Sequence, residues 1–172
     1  MKTYPTIGCC GIDCGLCPRY HTDGPSACPG CDGVNFKDKH PSCGFVTCCV
    51  TKHGFEVCSD CPDYPCKRFD PEKEGYDSFV THQNVFANLD MIKKEGIEIF
   101  LKQQSKCMAV LVDFLENFND GRSKSFFCLA TALLPLDILC EAYQFAHDLD
   151  IHLTLKERNT RLKDKLKSLA ET

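Results

Sequence analysis

The chain has 172 residues, a formal net charge of −4 and 15 cysteines, and these quantities restrict its class. The length allows one ordinary domain, or a small cysteine-rich unit joined to a larger one. Residues 1–66 and 67–172 are both slightly acidic, which argues against binding to a nucleic-acid backbone. Residues 1–7 show no secretory signal, and no apolar run reaches the roughly 18 residues that span a membrane. We therefore expect a cytoplasmic protein with no membrane attachment.

Cysteine is concentrated in residues 9–66, which contain twelve of the 15. A reducing cytosol disfavours disulfide bonds, so this density indicates metal binding. Three C-x-x-C units lie in the stretch, and each places two sulfurs on one side of a tight turn, as half of a tetrahedral site. They are Cys14-Gly-Leu-Cys17, Cys28-Pro-Gly-Cys31 and Cys58-Ser-Asp-Cys61.

Further cysteines surround these units. They are Cys10, Cys66 and Cys43, with either Cys48 or Cys49 as the partner of Cys43. Cys9 and Cys49 each adjoin another cysteine. Because neighbouring residues rarely both face one ion, a role as a small buried side chain is favoured more for these two than for the other cysteines, and the spacing toward Cys58 leaves either Cys48 or Cys49 as the ligand.

A short motif is repeated in this stretch. Cys-x-x-Cys-Pro-x-Tyr occurs at residues 14–20 and again at residues 58–64, which predicts two similar metal knuckles. Frequent glycines and prolines predict an irregular module without long helices or strands.

The residues leave the metal open between zinc and iron. Zinc is favoured because four thiolates from paired knuckles are its usual structural site, and we expect two or three ions. An iron–sulfur cluster is the alternative, because Cys10, Cys14 and Cys17 have the spacing by which radical enzymes hold one. The chain is too short for the barrel of roughly 200 residues that normally surrounds such a centre.

The ordered cysteines, with their glycines and prolines, resemble the bacterial and archaeal family called domain of unknown function 3795. The resemblance covers about residues 8–70. It implies a zinc-binding module with no established activity. It also implicates ten metal ligands, which are Cys10, Cys14, Cys17, Cys28, Cys31, Cys43, Cys48, Cys58, Cys61 and Cys66.

The composition changes near residue 70, which predicts a metal-binding domain at 1–69 and a helical domain at 70–172. Apolar residues in the second part recur with helical spacing and predict five helices. The first two helices cover residues 78–95 and 97–118, and the third runs from Ser123 or Ser125 to residue 134. Pro135 opens the fourth helix, and Thr154-Leu-Lys-Glu157 caps the last. The predicted fold class is mainly α, a small irregular cysteine-rich module followed by an antiparallel helical bundle.

No catalytic motif is evident in the sequence, which leaves open whether the protein is an enzyme. Closed four-cysteine sites offer no open coordination position, which favours a metal-stabilised binding or scaffold module with a protein partner. An iron–sulfur redox protein or enzyme is the alternative, and a nucleic-acid-associated zinc protein is the second. The last helix has a leucine stripe that suits a homodimer, and a basic face that we interpret as solvated.

Overall fold

We describe the protein from a computed structural model, which covers residues 1–40, 42–69 and 81–171. These residues form helices and turns and contain no β-strand. An irregular cysteine-rich region comes first and longer helices follow, which confirms the predicted fold class. The chain divides into two compact units, Met1–Lys102 and Gln103–Thr172. The predicted domain boundary at residue 70 falls within the first unit, next to residues outside the described ranges, and remains a prediction.

The cysteine-rich region contains only short elements, as its glycines and prolines predicted. The two Cys-x-x-Cys-Pro-x-Tyr motifs form 3-10 turns at Cys14–Leu16 and Cys58–Asp60. Between them lie helix α1 (Phe36–Lys39) and helix α2 (Gly44–Val46), and α2 continues as a π-helical segment, Thr47–Lys52.

All five longer helices that the periodicity predicted are present. They are α3 (Val85–Glu95), α4 (Ile97–Asn117), α5 (Lys124–Leu133), α6 (Leu136–His147) and α7 (Leu155–Ala170). The predicted start of the first of these was too early. A turn precedes α3, in which the Thr81 hydroxyl accepts a hydrogen bond from the Gln83 N–H at 3.1 Å, and the predicted residues 78–80 lie outside the described ranges.

Local chemistry explains the ends of these helices. Glycine 96 ends α3 with a φ of 93°, a conformation that side chains with a Cβ rarely adopt. The predicted capping box of α7 is confirmed, because Thr154 Oγ1 accepts from the Glu157 N–H and the Glu157 carboxylate accepts from the Thr154 N–H. Pro135 lies just before α6 rather than within its first turn. Ser123 precedes α5, but its hydroxyl bonds to Asp120 instead of capping the helix.

The second unit is built around buried aromatic and aliphatic side chains. Phe114 and Phe127 are fully buried, and their ring centroids lie 5.7 Å apart. Leu162 and Leu166 of α7 are also buried here, so these two members of the predicted dimerisation stripe pack within the unit. The unit therefore has a hydrophobic core of its own.

The first unit contains two adjoining clusters. The apolar cluster joins Ile7 and Val57 of the cysteine-rich region to the α3 residues Val85, Leu89 and Ile92. Helix α3 therefore packs on the second knuckle and shares its core. The thiol-rich cluster consists of Cys9, Cys31, Cys49, Phe36 and Val46.

Gly11 lies where the cysteine-rich region touches α3. Its φ is +93°, and a Cβ there would come within 2.5 Å of the Val85 carbonyl oxygen. We expect Gly11→Ala to destabilise the first unit by at least about 2 kcal/mol, because backbone strain and steric overlap add. Thermal unfolding of the Gly11→Ala variant and of the unaltered protein would measure this loss of stability.

The matched control is Gly24→Ala. Gly24 has a similar φ of +82°, but nothing lies within 4 Å of its Cβ position. The control should show only the cost of backbone strain, roughly 1–2 kcal/mol. Equal destabilisation by the two substitutions would show that the close approach to α3 contributes nothing.

Candidate metal centre

The two knuckles have the same backbone conformation, as their repeated motif predicted. In the first, the Cys17 N–H donates to the Cys14 carbonyl at 3.2 Å, and Cys61 and Cys58 make the same bond at 3.0 Å in the second. The second cysteine of each has nearly identical dihedrals, φ −79° and ψ 135° against φ −80° and ψ 134°. In the turn that follows each knuckle, the tyrosine N–H donates a hydrogen bond to the carbonyl of the knuckle's second cysteine. The chain therefore uses one turn twice to present pairs of sulfurs.

The N-terminal residues fix the third C-x-x-C unit against this framework. The Cys31 N–H donates to the Pro5 carbonyl at 2.8 Å. Gly30, with a φ of +83°, makes the approach feasible, because a Cβ there would lie 2.3 Å from that same oxygen. In addition, the Cys58 N–H donates to the Cys9 carbonyl at 2.7 Å, which brings the second knuckle to Cys9.

Four thiols meet at the centre of the thiol-rich cluster, and we call them the central quartet: Cys9, Cys31, Cys49 and Cys58. The Cys9 and Cys31 sulfurs lie 3.9 Å apart, and the Cys9 N–H also donates to Cys31 Sγ at 3.4 Å. The Cys9 thiol is further hydrogen bonded with Cys49 and Cys58. Cys9, Cys31 and Cys49 are 0, 7 and 4% exposed. Residues from four separate parts of the sequence therefore share one group of sulfurs, of which three are buried and that of Cys58 is partly buried.

Hydrogen bonding within the quartet separates the acidities of its members. Bonds to Cys31, Cys49 and Cys58 hold the pKa of Cys9 far above its usual value, and burial adds to this. Bonds from Cys58 and Cys9 lower the pKa of Cys49 to about 4, and bonds from the Cys9 thiol and N–H lower the pKa of Cys31 to about 7. The quartet therefore favours thiolate at Cys31 and Cys49 and thiol at Cys9.

A buried cation acts electrostatically on the quartet. The Lys2 side chain is fully buried, and its ammonium donates to the Glu56 carbonyl and lies 3.5 Å from the Glu56 carboxylate. Its charge also acts on Cys31 and Cys49 and favours their thiolate forms. Buried ammonium groups are costly unless they meet negative charge, so Lys2 fits a site that carries thiolates.

A second set of predicted ligands lies beside the quartet. Cys14 and Cys43 pack against the thiol-rich cluster. Burial raises the pKa of Cys10 to about 12, and burial with the nearby charges of Cys31, Cys10 and Cys17 holds the pKa of Cys14 well above its usual value. These thiols are close enough to influence one another electrostatically.

Of the remaining predicted ligands, three line a small cavity and Cys28 lies elsewhere on a loop. A small cavity is lined by Cys48, Cys61 and Cys66, together with His53 and Tyr64 and with the quartet members Cys49 and Cys58. Cys28 lies outside this cavity, on the loop where its N–H donates to the Arg19 carbonyl at 2.9 Å.

The donor chemistry suits a thiophilic ion, although the sulfurs have not converged on one. In the described ranges, no group of three or more cysteine, histidine, aspartate or glutamate side chains has an arrangement that could hold a metal ion. Within those ranges, two buried hydroxyls of the second knuckle, Ser59 Oγ and Tyr64 OH, have no hydrogen-bond partner. Metal-bound sulfurs commonly accept such bonds, so these orphaned donors and the soft thiols fit a bound zinc-class ion.

Residues 6–71 match the family described as Protein of unknown function (DUF3795). This confirms the resemblance inferred from the cysteine pattern, over almost the same residues. No curated protein and no solved structure shows significant similarity to the chain. The DUF3795 match thus covers the quartet and both knuckles, and its description names no function.

Two features of the structure were not predicted from the sequence. Cys9, which was not among the ten predicted ligands, and Cys49, which was only an alternative to Cys48, both belong to the quartet, and their burial agrees with the prediction. A histidine–carboxylate pair also exists in the second unit, where His147 Nε2 lies 2.9 Å from Asp113 Oδ2. These two residues are 34 positions apart, so no local motif signals the pair.

The last helix uses much of its basic face for contacts within the second unit. Lys165 pairs with Glu141 at 2.6 Å, and Lys163 lies over the Phe126 ring at 5.3 Å. Arg158 lies over the Phe118 ring at 5.7 Å. Across the described residues, no helix is both long and apolar enough to cross a membrane.

Proposed function

We propose that residues 1–102 form a zinc-stabilised module that presents its surface to a protein partner and carries out no reaction. The observation that carries this proposal is the contact of the Cys9 thiol with three other thiols from distant parts of the sequence, two of them buried and that of Cys58 partly buried. Four thiolates close a tetrahedral zinc site and leave no position for a substrate. The role of such a site is to hold the polypeptide in shape.

The architecture of the first unit supports a structural role for metal. Its cysteine-rich region has only 3-10 turns and helical segments of three to six residues. Such a region buries few of its own backbone groups in regular structure, and it needs a further source of folding free energy. A structural zinc ion supplies that energy, about 10–16 kcal/mol in small zinc-folded peptides.

The charges of α7 favour a protein partner over a nucleic acid. Lys163 and Lys165 are engaged with neighbouring rings and carboxylates of the second unit. Those charges are therefore less available to phosphate groups than an unengaged basic patch would be. A homodimer through the last helix remains a prediction, and it would have to use residues other than the buried Leu162 and Leu166.

Metal analysis of the protein purified without oxygen tests this proposal, together with its visible spectrum. We expect two or three zinc ions per chain and no absorbance near about 400 nm, because zinc has a filled d shell. A brown protein that contains iron and sulfide would instead identify an iron–sulfur protein. Metal-free, folded protein would refute both metal assignments.

A further inference from the structure

We propose that Cys9, Cys31, Cys49 and Cys58 bind one zinc ion together, as a four-thiolate centre that includes two cysteines outside the ten predicted ligands. This inference rests on the proposed zinc-binding function and specifies one of its sites. Binding releases the thiol protons to solvent, since thiolates are the ligands, and the side chains rotate from mutual hydrogen bonds to a common ion.

The distances suit a single ion. In a tetrahedral site with zinc–sulfur bonds of about 2.3 Å, the sulfurs lie roughly 3.8 Å apart. The Cys9 and Cys31 sulfurs are already 3.9 Å apart. In a four-iron cluster each cysteine binds a different iron, which holds the cysteine sulfurs farther apart, so the Cys9–Cys31 distance favours a shared metal ion over such a cluster.

The backbone already holds the four cysteines together. Cys9 bonds through its own N–H to Cys31 and through its carbonyl to the N–H of Cys58. On the other side, the Cys49 carbonyl accepts from the Phe55 N–H at 2.9 Å, in a turn that leads back to the second knuckle. These hydrogen bonds keep the main chains of the four cysteines near one another, so that the side chains can turn toward a common ion.

The adjacent cysteines no longer argue against this site. Cys9 is fully buried in the quartet, whereas Cys10 is partly exposed. Cys49 is likewise buried, and its neighbour Cys48 is partly exposed. The two members of each adjacent pair therefore differ in exposure, and in each pair the more buried cysteine is the one that belongs to the quartet.

The surroundings also suit the charge of the centre. Four thiolates and one divalent cation carry a net charge of −2, and a buried site requires compensation. The fully buried ammonium of Lys2 acts on Cys31 and Cys49, and because it also pairs with the Glu56 carboxylate it offsets the charge of the centre in part. The hydroxyl of Ser59, next to Cys58 in the sequence, is buried without a partner and can donate to a sulfur.

Zinc stoichiometry of serine variants tests the assignment. We expect Cys9→Ser and Cys49→Ser each to lose one zinc ion per chain relative to the unaltered protein. Cys140→Ser, which changes an exposed cysteine of α6, should lose none. If both quartet variants keep the full zinc content, the assignment is wrong even though the proposed zinc-binding function stands. If the unaltered protein contains no zinc, the proposed function itself fails.

Alkylation of the unaltered protein gives an answer even if the variants do not fold. With zinc bound, the four quartet thiols should resist a cysteine-reactive reagent, and a chelator should expose all four together, as mass spectrometry of the peptides would show. Cys128 is the control, because it is buried in the second unit and should stay protected throughout. Protection of Cys9 and Cys49 that chelation does not change would overturn the proposal.

Discussion

Chelation of the bound metal should unfold the first unit and leave the second folded. The cysteine-rich region contributes Ile7 and Val57 to the apolar cluster in which the buried residues of α3 also lie. Loss of a structural zinc ion removes about 10 kcal/mol or more, which exceeds the stability of a small domain. We therefore expect α3 to unfold with the cysteine-rich region, although the sequence places it among the other helices.

Hydrogen exchange measured by mass spectrometry, with and without a chelator, would show which helices unfold when the metal is removed. Amides of residues 85–95 should lose protection together with those of residues 9–66, and zinc should restore both. Amides of α5, α6 and α7 should keep their protection, because the second unit has its own buried core. Simultaneous loss in all the helices would mean that the two units unfold as one.

The substitution Phe114→Ala should destabilise the second unit by about 3–5 kcal/mol. Phe114 is fully buried, and its ring contacts Phe127 at 5.7 Å and Phe118 at 6.2 Å between centroids. Truncation removes these contacts and leaves a cavity that the surrounding side chains can fill only in part. Denaturant unfolding, followed by the helical circular dichroism signal, would measure the change.

The control for this substitution lies two residues away on the same helix. Val112 is 38% exposed, so Val112→Ala should cost less than about 1 kcal/mol. Zinc content should be unchanged in both variants, since these residues belong to the second unit. A similar cost for the two substitutions would contradict the core assigned to Phe114.

Local signals in the sequence were sufficient to predict the helices and the turns of the two knuckles. The Thr154 and Glu157 capping box formed as its spacing predicted, because its bonds join residues three positions apart. The repeated motif also folded twice into one turn, since Cys-x-x-Cys-Pro fixes its own backbone. The start of α3 was predicted too early, because the turn at Thr81 that precedes the helix has no strong signature in the sequence.

The composition of the quartet could not be read from the sequence. Cys9 meets Cys31 across 22 residues and Cys49 across 40, and only the tertiary fold brings such distant positions together. Adjacency to another cysteine made Cys9 and Cys49 poor ligand candidates, and spacing says nothing of which neighbour turns inward. Burial in the folded chain distinguishes the two neighbours, since Cys9 and Cys49 are buried and Cys10 and Cys48 are partly exposed.

X-ray absorption at the zinc edge of the intact, metal-loaded protein tests the central claim most directly. If the cysteine-rich region holds structural zinc in closed thiolate sites, the nearest shell should contain about four sulfurs per zinc at roughly 2.3 Å. A shell that contains an exchangeable water or other oxygen ligand would indicate an open, reactive site. That result would contradict a purely structural role for the metal.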